Sequence, residues 1–111
     1  ELSAALATIY LVCMTKTILD LLESKNTIII DGGFANNQFY TILLKELCIG
    51  QNIFCNESAE GTSLGAAILA FENMSGCSFS NPCTQVEPTG LKHINKYYET
   101  WTELIATENS L

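Results

Sequence analysis

The feature that most constrains this chain is the stretch Thr27-Ile28-Ile29-Ile30-Asp31-Gly32-Gly33-Phe34-Ala35-Asn36-Asn37. A β-branched run of this kind reads as a short central strand buried on both faces. It stops at two glycines, and a helical pattern begins a few residues later, so the chain must turn sharply from strand to helix. Ligands of open α/β sheets gather at the carboxyl ends of strands. Glycine there permits positive φ and lets a ligand approach the backbone without a Cβ in the way. The following helix offers free N–H groups and the positive end of its dipole. Asn36 or Asn37 can cap that helix or hydrogen-bond a ligand. Two readings stand on this stretch alone: a turn shaped for an anionic or nucleotide ligand, and a plain strand-to-helix connection. The Gly-x-Gly-x-x-Gly dinucleotide fingerprint and the Gly-Lys-Ser/Thr of a P-loop are both absent.

Around this turn the periodicity predicts helix, strand, helix, strand, helix, loop, helix. Leu2 to Leu22 carries two apolar stripes, one through Leu6, Ile9 and Cys13 and one through Leu11, Met14 and Ile18, predicting a helix covered on most sides. Its apolar run is ended by Thr15-Lys16-Thr17, short of the ~20 residues of a membrane span. Phe39 to Leu47 is helical, with Phe39, Leu43 and Leu47 on one face and Gly50 as its stop. Gln51 to Asn56 is a second strand. Ser63 to Phe71 is a helix dense in small residues. Asn73 to Pro88 is a loop, and Thr89 caps a last helix whose apolar face is Tyr97, Tyr98, Trp101, Leu104 and Ile105. The reading is α/β, with short parallel strands and flanking helices joined by a right-handed crossover. Residues 1–106 form one unit and 107–111 a frayed tail. Two strands are too few for a stable sheet, so the chain is read as part of something larger; its start at Glu1 rather than Met fits a cut or matured piece.

Charge and cysteine content narrow the partners. The 111 residues hold 12 acidic and 5 basic side chains, net −7, and every basic one is a lysine. A duplex-binding surface needs clustered cations, so no nucleic acid is expected. A phosphate would have to rest on backbone N–H groups, helix N-termini or lysine. Of the five cysteines, Cys13, Cys48 and Cys55 lie in apolar segments as free thiols, while Cys77 and Cys83 share a polar loop and could pair in an oxidising compartment. Asn56-Glu57-Ser58 and Asn73-Met74-Ser75 fit the glycosylation triplet, which matters only on secretion. The expected location is the cytoplasm, with no membrane partner. His93 is a lone histidine, and Cys77, Cys83 and His93 match no compact zinc spacing.

A second motif follows the second strand: Glu60-Gly61-Thr62-Ser63-Leu64-Gly65-Ala66-Ala67-Ile68-Leu69-Ala70. With the glycine turn before it, in this order and separation, the stretch from about Thr27 to Phe71 resembles the carboxy-terminal domain of the FGGY carbohydrate kinases. These belong to the actin/hexokinase-type ATPases. The resemblance implies a partial RNase H-like, actin-like ATPase domain. It implies that Gly32-Gly33 is the adenosine motif, that Gly33 and Asn36 contact nucleotide, and that Glu60 and the Gly65-Ala66-Ala67 run pack the helix against the sheet. Gly32, Gly33, Asn36 and Asn37 are thus the candidate cofactor-binding residues. ATP and Mg²⁺ are the implied cofactors and a small sugar or polyol the implied substrate of the intact enzyme, with association into homo-oligomers left open. Asp31 is read as a turn or solvent-facing residue, not a base. The implied phosphate loops, catalytic aspartate and sugar domain have no counterpart here, so the chain alone is expected to be inactive and no catalytic residue is assigned. Two rivals stand beside this: a non-catalytic ATPase-like binding or regulatory module, and an unrelated α/β ligand binder whose glycine turn is incidental.

Overall fold

The computed structural model describes residues 2–56, 61–75 and 83–109. The elements are α1 (Leu2–Leu21), β1 (Ile28–Ile30), a 3-10 turn (Gly32–Asn36), α2 (Gln38–Leu47), β2 (Ile53–Asn56), α3 (Gly61–Ser75), β3 (Cys83–Gln85) and α4 (His93–Asn109). The strands form one sheet in the order β1-β2-β3. β1 and β2 are parallel, with Ile28 opposite Ile53 and Ile30 opposite Cys55. β3 lies antiparallel to β2, Asn56 opposite Cys83. The chain is therefore α/β with a small three-stranded sheet. The loop expected from Asn73 to Pro88 contains β3, because the open edge of β2 offers hydrogen-bond partners that no local pattern announces. The ladder continues past β3 with the Val86 amide donating to the Ile53 carbonyl at 2.8 Å.

The core lies on one side of the sheet. Ile30 and Ile53 meet Tyr40, Leu44, Leu47 and Cys48 of the α2 segment, Val12 of α1 and Ile94 of α4. On α2 this is the i, i+4, i+7, i+8 face. Its phase differs from the predicted one by about a residue: Phe39 is 76% exposed and Tyr40 is buried. Tyr40 can take the inner position because its hydroxyl finds a partner, the Thr15 hydroxyl of α1 at 2.8 Å. α4 contributes Ile94, Tyr98, Trp101 and Ile105 inward, while Tyr97 and Leu104 stay exposed. The Tyr98 hydroxyl donates to Asp20 of α1 at 3.0 Å, and the Trp101 ring meets Tyr10 edge-on at 5.4 Å.

Two polar clasps fasten the loops. Buried Glu46 accepts the Thr89 and Gly90 amides at 2.6 and 2.8 Å and the Thr89 hydroxyl at 3.3 Å. Thr89 thus serves α2 rather than capping α4, which starts later, at His93. Buried Lys45 donates to the Gln51 and Ile49 carbonyls at 2.6 and 3.3 Å, closing the connection into β2.

Three expectations about coverage are corrected. Only one face of β1 is covered, because the core contributed by α1, α2 and α4 lies on the Ile30 side, and Ile29 on the opposite face is 65% exposed. α1 buries Val12 and Cys13 only, leaving Leu2, Leu6, Ile18 and Leu21 exposed. It is also a 20-residue helix of mean hydropathy 1.7, long and apolar enough by length and composition to cross a membrane, so Thr15-Lys16-Thr17 does not bring the apolar stretch short of that length. In the fold its Val12 joins the core beside residues of α2. α3 does not close on the sheet: none of its described side chains, 62–71, is buried, and a Cβ added at Gly65 would meet nothing within 4 Å. α4 ends at Asn109. Glu60 and Cys77, and with Cys77 its pairing to Cys83, lie outside the described residues.

Candidate functional site

The glycine turn is built by side chains on either side of it. Asp31 leaves β1 extended, φ −127° and ψ 165°, and its Oδ1 accepts the Gly32 amide at 2.8 Å. Gly32 then takes φ +73°, a conformation side chains other than glycine's rarely adopt. One turn of 3-10 helix follows, and the Asn37 amide donates to the Phe34 carbonyl at 3.2 Å to close it. Asn37 is the N-cap of α2, its Oδ1 accepting the Tyr40 amide at 3.1 Å. Space beside both glycines is open: a Cβ at Gly32 or Gly33 would meet nothing within 4 Å.

Next to this turn lies an open cleft of about 450 Å³. Ala35 and Asn36 from the turn, and Gln38, Thr41 and Ile42 from α2, form one wall. Cys55, Asn56, Thr84 and Val86, from the strands and the residue after β3, form the other. Of the four candidate residues, the structure brings Asn36 to this cleft. Gly32 and Gly33 stand exposed at the start of the same turn. Asn37 lines a different cavity, about 510 Å³ between α1 and α2, together with Ala4, Thr8, Phe39 and Leu43. Of the two roles left open for Asn36 and Asn37, capping belongs to Asn37.

The described lining of the cleft is neutral: none of those residues carries a charge. Burial pushes the Cys55 thiol up, and Cys83 nearby adds to this, so Cys55 is a protonated, weakly polar lining group. Asp31, the one acid at the turn, is held twice: its Oδ1 also accepts the Asn56 carboxamide N–H at 3.1 Å. That geometry fits its reading as a turn residue. This described lining, beside exposed backbone, suits a neutral, hydrogen-bonding heterocycle or ribose better than a triphosphate. Among the described residues there is no group of three or more His, Cys, Asp or Glu side chains able to hold a metal ion.

Asn56, Gln38, Thr84 and Val86 were not singled out as site residues from the sequence. Asn56 drew notice only as the start of a glycosylation triplet, yet its side chain is buried and committed to Asp31. Gln38 lies next to the motif and could have been found as the first residue of α2. Thr84 and Val86 reach the cleft only through the pairing of β3 with β2, and no sequence signal marks them. A family model described as carbohydrate kinase FGGY, C-terminal domain, matches residues 1–78 of the 111. No curated protein and no solved structure matches the chain.

Proposed function

The chain belongs to the FGGY carbohydrate kinases as a C-terminal domain, and from that footing we propose that it forms the adenosine side of the ATP site in an ATP-dependent kinase of a small sugar or polyol. The observation that carries this is the cleft bordered by Asn36, uncharged in its described lining and directly beside an open, left-handed glycine turn. Gly32 and Gly33 let the nucleotide lie against main chain, and Asn36 offers a donor and an acceptor at the cleft wall. Asn37 contributes indirectly, by fixing where α2 begins. The domain is read as part of an RNase H-like, actin-like ATPase fold whose remaining strands lie elsewhere in the protein.

In this reading the intact enzyme moves the γ-phosphoryl group of ATP to a substrate hydroxyl. Mg²⁺, which would neutralise the phosphates, the catalytic base and the sugar contacts are supplied by other parts. The chain's own share is positioning, which converts a two-body encounter into an oriented one. Its net charge of −7 fits a surface that does not itself hold the triphosphate. The proposed location is the cytoplasm, where ATP is available and where the free thiols of Cys13, Cys48, Cys55 and Cys83 would persist.

The test is steady-state kinetics of the full-length protein over a panel of small sugars and polyols. ATP-dependent phosphorylation of at least one is expected, and Gly33→Val should raise the KM for ATP about tenfold or more while moving that for the sugar little. Equal effects on both KM values, or no phosphoryl transfer to any member of the panel, would overturn the proposal.

A further inference from the structure

We propose that Asn56 is a positioning residue of the glycine turn, and through the turn of the nucleotide cleft; the second half rests on the reading of that cleft given above. Asn56 ends β2, is 8% exposed and lines the cleft. Its Nδ2 donates to Asp31 Oδ1 at 3.1 Å, and the same oxygen accepts the Gly32 amide at 2.8 Å. A single line of hydrogen bonds therefore runs from the carboxyl end of β2, across the parallel pair, to the first amide of the turn. Gly32, the residue held by it, is the one at φ +73°.

The chemistry of the pair explains why an amide stands at position 56. Asp31 is exposed and does not line the cleft. With Asn56 donating from one side and Gly32 from the other, the Asp31 carboxylate is fixed as the brace of the turn. Asn56 touches no reacting atom in this account; it acts through Asp31.

The full-length protein tests this with three variants. Asn56→Asp sets two carboxylates face to face and removes the donor. It should raise the KM for ATP about tenfold and the KM for sugar less than twofold. In nucleotide-free protein it should speed hydrogen exchange at the Gly32 amide. The double variant Asp31→Asn/Asn56→Asp restores one donor and one acceptor with the roles reversed, and should recover most of both effects. Asn56→Ala, which adds no charge and so spares the fold, should give the same changes in smaller size. Wild-type exchange at Gly32 and wild-type KM for ATP in both single variants would overturn the proposal, as would a well-folded double variant as impaired as Asn56→Asp. A wild-type protein that uses no ATP would defeat the functional reading and the positioning of nucleotide with it, while Gly32 exchange would still decide whether Asn56 braces the turn.

Discussion

Gly32 and Gly33 look alike in the sequence and differ in the fold. Gly32 sits at φ +73° and Gly33 outside the left-handed region, yet neither has an atom within 4 Å of where a Cβ would be. Gly32→Ala should therefore destabilise by about 1 kcal/mol through backbone strain alone, and Gly33→Ala should be near neutral in the same denaturant titration. Equal costs would contradict the turn as described. Glu46 gives a second case. The Thr89 amide, followed by Gly90 and the Thr89 hydroxyl, holds its carboxyl below the usual carboxylate range, against the opposing pull of burial. A carboxyl lowered on folding contributes stability that is fully present above its unfolded value, about 4.3, and is lost as pH falls through the folded one. Glu46→Gln should cost about 1–2 kcal/mol at pH 7, since an amide oxygen accepts more weakly than a carboxylate, and should shrink the loss of stability between pH 7 and pH 3. An unchanged urea midpoint at pH 7 would show that the clasp contributes nothing.

Among the elements, α2 carries the most packing and α3 the least. Leu44 is fully buried at the centre of the core. Leu44→Ala should cost about 2–5 kcal/mol in chemical denaturation. Gly65 in α3 has open space around it. Gly65→Ala should stabilise the chain by about 0.5–1 kcal/mol, whereas a loss of stability in the full-length protein would show another part closing on α3. The same contrast explains what could be read in advance. α2, β1 and the turn are local patterns, and their types and order follow from β-branching, two glycines and a capping asparagine. Which face each buries is decided by neighbours: Tyr40 displaces Phe39 from the core because Thr15 receives its hydroxyl, and Ile29 is exposed because the core lies on the opposite face of β1. β3 was illegible because Cys83-Thr84-Gln85 is too short for a period and depends on the edge of β2. The site divides likewise: Asn36 is marked by its motif, while Asn56 and Thr84 reach the cleft by strand pairing.

The whole molecule is stretched. Its radius of gyration is 16.9 Å and its extents 56 × 31 × 25 Å, against about 13 Å for a compact chain of about 100 residues. Leu2, Leu21, Leu22, Ile29, Phe39 and Leu69 are all more than half exposed. A surface with this much bare apolar area is one that other protein normally covers. The 111-residue chain alone should therefore self-associate, its light-scattering mass rising with concentration; a strict monomer at all concentrations would show that it needs no cover. Its affinity for ATP should be about millimolar or weaker, near −4 kcal/mol, since in the proposed reading the triphosphate and Mg²⁺ contacts come from other parts. The most direct measurement is photolabelling of the full-length protein with 8-azido-ATP, followed by peptide mapping. The account places the adduct on the cleft walls, at residues 35–42, 55–56 or 84–86, and expects excess ATP to abolish it and Gly33→Val to weaken it. An ATP-protected adduct confined to other parts of the protein would contradict the account.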